Sequence, residues 1–242
     1  MSETLSAKQL GFYALNEKVR ELTGEIIIDN SYGERFIAAS ATADKSIVIN
    51  GTPGNALGCY MDGAHITVNG NAQDAVGDTM NDGEIVIHGH TGDALGYAMR
   101  GGVIYVREGS GYRTGIHMKQ YKDKRPVIVV GGGTGSFLGE YMAGGLIIVL
   151  NKNSDGRADV GRFTGTGMHG GAIYIRSAEP PEDVPKQVLC RKAEDADKVA
   201  ISEYVKRYAA LFGGDINELL GADYWVLAAN SANPYKQMYT DN

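Results

Sequence analysis

Short apolar, β-branched segments recur along the chain and alternate with polar, glycine-rich stretches. They begin at Ile26, Ile47, Ile66, Ile85, Ile104, Val127, Ile147 and Ile173. The starts from Ile47 to Ile104 are spaced by 19 residues, and the later starts follow at 23, 20 and 26. Within each segment every second residue is Ile or Val, which is the period of a strand with one buried face. The pattern predicts one short strand per repeat, with small insertions at 121–125 and 153–157.

A glycine-centred motif follows the same period, and its clearest copy is GDALGYAMRGG (92–102). Glycine adopts positive φ without a clash from a Cβ atom. We therefore predict that the central glycines form the corners of the repeat, and that small alanines two residues earlier (Ala56, Ala75, Ala94) form an inward-facing column. The predicted structural glycines are Gly58, Gly77, Gly96, Gly115, Gly139 and Gly161, and most are followed three residues later by a methionine (Met61, Met80, Met99, Met118, Met142).

A 19-residue repeat is too short for the paired helices of a helical solenoid, and helices disfavour this much glycine. The sequence therefore predicts an all-β fold: a single-stranded right-handed parallel β-helix of about eight coils, with helical N- and C-terminal extensions. Three regions are expected. Residues 1–23 form an N-terminal helical cap in which Ser6 is the N-cap, and 24–177 form the repeats. Residues 178–242 hold a Pro-rich linker, helical character over 186–212, a strand at 224–230 and a polar tail from 231 to 242.

Composition limits the possible functions. The net charge is −6 and no block of Lys and Arg stands out, which argues against a nucleic-acid partner. No apolar run is long enough to span a membrane, and the first residues lack the apolar core of a signal peptide. Two distant cysteines, Cys59 and Cys190, suggest no disulfide framework. We therefore expect a cytoplasmic protein without a membrane partner.

The glycine-rich segment VVGGGTGS (129–136) follows a predicted strand, as a phosphate-binding loop does. It lacks the Lys-Ser/Thr of such a loop and leaves no room for a helix before the next strand, so we interpret it as a turn of the repeat. The five histidines form no column at the 19-residue offset, although His65 beside Glu84 could pair.

Two further groups are candidate sites. Asp74 and Asp93 are one repeat apart and could hold a cation loosely, but aspartate also suits turns, which we favour. Cys59 has no base in its column that would activate a thiolate. The sequence predicts no catalytic residue, no cofactor-binding residue and no metal ligand in this chain.

The repeated GDALGYAMRGG element (92–102) resembles the GXGXG domain of glutamate synthases. Nearly the whole chain takes part in the resemblance. Residues YALNEKVREL (13–22) are similar to the segment leading into that domain, and YWVLAANSANPYKQMYT (224–240) to its closing strand and Pro-Tyr tail. The repeat motif is also shared with one of the subunits of formylmethanofuran dehydrogenase, but the two ends favour glutamate synthase.

The resemblance implies a stand-alone, non-catalytic structural subunit of a glutamate synthase-type complex. In that complex an amidotransferase subunit hydrolyses glutamine, and an FMN-binding synthase subunit with an iron–sulfur cluster performs the reductive amination of 2-oxoglutarate. This chain would position those partners and bind no cofactor itself. A homo-oligomer is compatible with this role. The equivalent subunit of a formylmethanofuran dehydrogenase and a stand-alone carbohydrate-binding β-helix remain as alternatives.

Overall fold

A computed structural model describes residues 2–230 of the chain, which form eleven strands and three helices. The strands are β1 (Glu3–Ser6), β2 (Gly24–Tyr32), β3 (Lys45–Thr52), β4 (Asp62–Asn69), β5 (Asp82–Ile87), β6 (Val103–Val106), β7 (Val127–Val130), β8 (Ala143–Val149), β9 (Gly170–Arg176), β10 (Val188–Lys192) and β11 (Tyr224–Ala229). The helices are α1 (Ala7–Glu21), α2 (Asp195–Phe212) and α3 (Ile216–Gly221). All eleven strands belong to one sheet, in the order β1-β2-β3-β4-β5-β6-β7-β8-β9-β11-β10.

The 19-residue period appears directly as the register of the parallel strands. Ile47 of β3 lies beside Ile66 of β4, and Ile66 lies beside Ile85 of β5. Ile85 in turn lies beside Ile104 of β6, and Ile104 lies beside Ile128 of β7. Each insertion therefore lies between strands and leaves their pairing undisturbed.

The segments between strands form turns that stack on one another. In the turn around Gly96, three alternating residues adopt the left-handed conformation: Ala94 (φ 56), Gly96 (φ 66) and Ala98 (φ 50). The Gly96 amide donates to the carbonyl of Val76 in the preceding turn at 2.8 Å. A Cβ on Gly96 would lie 2.5 Å from Cδ1 of Ile128, so this position needs glycine for its conformation and for its packing.

The main core lies between the sheet and these turns. The strand isoleucines contact a buried column of methionines: Met61, Met80, Met99, Met118 and Met142. The prediction that Ala56, Ala75 and Ala94 form the inward column is wrong, because the residues that follow them, Leu57, Val76 and Leu95, are the ones wholly buried. The left-handed conformation of each alanine turns the next side chain inward.

The amino-terminal end is covered by β1 and α1. β1 extends the sheet in parallel beside β2, and α1 packs its buried Leu15 and Val19 against the core. Ser6 occupies the N-cap position of α1, but its side chain makes no capping hydrogen bond.

At the carboxyl end the direction of the sheet changes. β11 pairs with β9 antiparallel and β10 pairs with β11 antiparallel. Helical character was expected over 186–212, whereas residues 188–192 are a strand and the helix begins at Asp195. Strand structure over 224–229 agrees with the sequence pattern. The polar tail predicted for 231–242 lies outside the described residues.

Helix α2 lies on the face of the sheet opposite the main core and forms a second core there. Its Ile201, Val205 and Tyr208 are wholly buried among strand residues that include Val129 and Ile148. The Tyr208 hydroxyl also donates to the carbonyl of Arg107 at 2.8 Å. The middle strands are therefore covered by apolar side chains on both faces.

The predicted fold class is wrong. The structure is not an all-β parallel β-helix of eight coils, because its described strands form a single eleven-stranded, mostly parallel sheet in which β11 runs antiparallel to both of its neighbours at one end. Its helices add a second core, which gives the protein a mixed α and β character. The sequence pattern located one strand per repeat. It did not reveal that the segments between strands are left-handed turns, or that α2 packs on the outer face.

Candidate functional site

In the glycine-rich loop that follows β7, residues 131–135, the backbone amides form hydrogen bonds to the neighbouring turns. The amides of Gly131, Gly132, Thr134 and Gly135 donate to carbonyls of Val106, Glu108, Asp159 and Ser110. A Cβ on Gly131 would collide with the Tyr208 hydroxyl, and one on Gly133 with the Asp159 carboxylate. The glycines are therefore there for close packing, and these four amides are not available to a phosphate group.

The histidines lie in separate surroundings. His65 stands beside Glu84 in adjacent strands, but the Glu84 carboxylate accepts two hydrogen bonds from Arg207, at 2.7 Å and 3.2 Å. His88 packs edge-on against Phe212 with ring centroids 5.1 Å apart, and burial lowers its pKa. Among residues 2–230, no group of three or more His, Cys, Asp or Glu side chains could hold a metal ion.

The stacked carboxylates Asp74 and Asp93 bind the backbone of the next turn. Oδ1 of Asp74 accepts the amide of Asp93 at 2.9 Å, and Oδ1 of Asp93 accepts the amide of Tyr112 at 2.8 Å. Asn55 accepts the amide of Asp74 in the same way at 3.3 Å. These side chains thus connect successive turns, which is the structural role that aspartate and asparagine commonly take in turns.

Neither cysteine is arranged as a nucleophile. Cys59 is buried, and burial raises the pKa of its thiol, with a further contribution from the neighbouring Asp78 carboxylate. Cys190 is half-buried, and burial raises its thiol pKa as well. A thiol with a raised pKa is mostly protonated at neutral pH and therefore reacts slowly.

The structural glycines occupy one equivalent position in successive turns, with one exception. The amides of Gly58, Gly77, Gly96, Gly115 and Gly139 each donate to a carbonyl of the turn before. In the last turn Gly165 takes this place, because its amide donates to the Leu138 carbonyl. Gly161 lies four residues earlier, and a Cβ there would meet the backbone of Ser136. The insertion at 153–157 obscured the alignment of this turn in the sequence.

A cavity of about 560 Å³ lies between α1 and the first turn, with Phe12, Phe36 and Lys45 among its lining residues. The Lys45 side chain is buried, and its ammonium group donates to the carbonyls of Arg20 and Leu22. A cation at this position satisfies carbonyls that the end of the helix leaves unpaired. The buried charge therefore supports the end of α1.

The outward side of the glycine-centred turns, here called the turn face, carries a stripe of aromatic rings. His117 stacks on Tyr141 with centroids 5.1 Å apart, and Tyr97 packs edge-on against His117 at 5.9 Å. Beside them Phe137 stacks on Phe163 at 5.0 Å. All of these rings are exposed except Phe137, which is half-buried. Sequence reasoning missed this stripe, although aligning the residues just after each central glycine would have brought Tyr97, His117 and Tyr141 together.

The guanidinium of Arg113 lies over the Phe137 ring, 5.1 Å from its centroid. Its Nε also donates to the carboxylate of Glu140 at 3.2 Å. The Tyr141 ring covers the next turn so closely that a Cβ on Gly167 would lie 2.4 Å from it. Such a set of ordered rings and a fixed arginine is typical of protein–protein contact surfaces.

The stacked turns place the chain in a known family. The sequence model of the GXGXG motif family matches residues 13–229, which include all of the stacked turns and nearly all of the described sheet. This chain belongs to the GXGXG motif family. The resemblance seen in the repeats is thereby confirmed at the level of the family.

One similar protein is an uncharacterized protein of Methanocaldococcus jannaschii. It is 43% identical over 249 residues, which cover 98% of this chain and 95% of that protein. The two chains thus correspond along almost their whole lengths. Within residues 2–230, no helix is both long and apolar enough to cross a membrane.

Proposed function

We propose that this chain is the non-catalytic structural subunit of a glutamate synthase-type complex. It positions an amidotransferase subunit and an FMN-binding, iron–sulfur synthase subunit. Together these carry out the glutamine-dependent reductive amination of 2-oxoglutarate or of a close substrate relative. The observation that supports the proposal most is the match of the family to residues 13–229.

The contacts made by the candidate chemical groups agree with a structural role. The glycine-rich loop, the stacked aspartates and the buried lysine are engaged in stacking turns or ending a helix. The two thiols have raised pKa values, and burial is the main cause. Groups held in this way stabilise a rigid support, which is what a positioning subunit has to provide.

Co-expression with the amidotransferase and synthase subunits of the same organism tests the proposal. The chain should co-purify with both partners. Omitting it should reduce glutamine-dependent turnover much more than ammonia-dependent turnover, because only the former requires the two partners to be aligned. A useful pair of variants is Asp93→Asn, which keeps the turn contact, and Cys59→Ser. Both should leave activity unchanged.

Two results would contradict the proposal. One is a folded chain that associates with neither partner under conditions in which the two partners are themselves active. The other is loss of turnover by Cys59→Ser in an intact complex, since that would give this chain a chemical role.

A further inference from the structure

The turn face has two margins of opposite charge on either side of its aromatic stripe. Three residues before the central glycine, two successive turns carry the exposed carboxylates of Asp74 and Asp93. Four residues after the central glycine, two successive turns carry the exposed side chains of Arg100 and Lys119. The acidic pair and the basic pair share the turn around Gly96.

These four charges are not neutralised within the described part of the chain. The Asp74 and Asp93 carboxylates accept backbone amides but form no ion pair with residues 2–230, and the side chains of Arg100 and Lys119 also have no ion-pair partner there. Other surface cations of the protein do have partners. Lys124, for example, lies 3.1 Å from Asp62 and 3.0 Å from Asp82.

The aromatic stripe between the margins is better suited to protein than to carbohydrate. A sugar ring stacks on a free aromatic face, whereas His117 and Tyr141 stack on each other and Phe137 is covered by Arg113 and Phe163. Ring edges and tyrosine hydroxyls remain at the surface. Rigid tyrosines with an apolar body and a polar tip are enriched where proteins meet.

We propose that the turn face binds a second copy of this chain in a two-fold symmetric dimer whose axis runs along the stack of turns. In such a dimer the same patch is used twice, and each acidic margin meets the basic margin of the other copy. Arg100 then faces Asp93 of the second copy at the same level. Lys119 reaches the same carboxylate from the next turn, roughly 4.8 Å away.

The size of the face agrees with a reversible dimer. Six stacked turns at a strand spacing of roughly 4.8 Å make it about 25–30 Å long. With a width of about 20 Å, from roughly eight residues of turned chain, it buries on the order of 1,000–1,200 Å² when both copies are counted. That is the lower end of the range for specific interfaces, where weak and transient associations are found. The dimer goes beyond the proposed function and requires this chain alone.

Analytical ultracentrifugation of the full chain, up to about 200 µM, tests the proposal. The mass should rise with concentration from 25.8 kDa towards twice that value. The association should weaken between about 50 mM and about 500 mM salt, because the margins are exposed charges. The double variant Arg100→Glu, Lys119→Glu should weaken the dimer at least about tenfold. A control on the exposed side of α2, Lys206→Glu, should not weaken it.

A charge swap makes the test specific to this geometry. Arg100→Glu combined with Asp93→Lys restores opposite charges across the two-fold axis, so the pair should dimerise more tightly than Arg100→Glu alone. Since Asp93→Lys removes a turn contact, Asp93→Asn serves if the swapped variant does not fold. Asp93→Asn keeps an oxygen that accepts the Tyr112 backbone amide, but it removes the negative charge and should therefore weaken the dimer. Two results would overturn the proposal. One is a chain that remains monomeric at about 200 µM. The other is a dimer whose Kd does not change when Arg100 and Lys119 are both replaced by Glu.

Discussion

Replacing Gly96 tests the packing of the stacked turns most directly. We predict that Gly96→Ala destabilises the protein through two separate effects. A non-glycine residue in the left-handed conformation costs about 1–2 kcal/mol. The new Cβ would also lie 2.5 Å from Cδ1 of Ile128, and relieving such overpacking costs about 1–3 kcal/mol. The sum is about 2–5 kcal/mol, and Gly96→Val should cost more.

Thermal unfolding followed by circular dichroism measures this loss. For a chain of this size, 1 kcal/mol corresponds to about 2–4 °C, so Gly96→Ala should melt about 5–20 °C below the parent. Ala98→Gly is the matched control, because Ala98 is left-handed in the same turn. That substitution relieves backbone strain, and its melting temperature should stay within a few degrees of the parent.

A double-mutant cycle separates the two effects. Ile128→Val removes Cδ1, the atom that the new Cβ would meet. In that background Gly96→Ala should cost only the conformational part, about 1–2 kcal/mol. Two outcomes would refute the reasoning. One is an equal cost in both backgrounds, which would show that Ile128 does not fill the space above Gly96. The other is a Gly96→Ala variant that melts with the parent.

Single substitutions test the buried hydroxyl groups, and chemical labelling tests the two thiols. Thr164 is wholly buried and its hydroxyl has no hydrogen-bond partner within residues 2–230, so Thr164→Val should leave stability in urea unchanged or raise it by about 1 kcal/mol. Thr114→Val should lower it by about 1 kcal/mol, because that hydroxyl lies 2.7 Å from a serine hydroxyl; equal effects would contradict both assignments. Tyr208→Phe removes a hydrogen bond from α2 to the sheet and should cost about 1 kcal/mol in the same assay. Since burial raises both thiol pKa values, native Cys59 and Cys190 should react with a disulfide reagent mainly above pH 9, Cys59 more slowly; fast labelling of Cys59 at neutral pH would contradict its burial.

The sequence was sufficient for the repeat strands, β2 to β9, and for most of their register, because two independent markers share one period. The isoleucine starts give the face of each strand, and the central glycines give the stacking of the turns. Two members were displaced. The strand start expected at Val127 is one residue early, because Ile128 is the residue beside Ile104, and an insertion moved the last glycine from the expected Gly161 to Gly165. A period measured over several repeats tolerates such irregular members.

The rest of the architecture depends on contacts that a repeat does not encode. The face that α2 covers is set by the fit of Tyr208 and Val205 to distant strands. The antiparallel return of β11 likewise depends on pairing with residues about fifty positions earlier, such as Ile175. The aromatic stripe was missed because each ring looks like an isolated surface residue until the repeats are aligned on their central glycines.

The placement of β11 between β9 and β10 has a consequence for the order in which the protein is made. As the chain emerges, β2 to β9 can add to the sheet one after another, each beside the strand before it. β9 cannot be covered until synthesis has reached Ala229, because its remaining neighbour is β11. During that interval β9 presents an unpaired edge, the kind of surface through which nascent chains join one another. A polypeptide terminated before Tyr224 would keep that edge permanently, so early termination should yield aggregates rather than a shorter soluble protein.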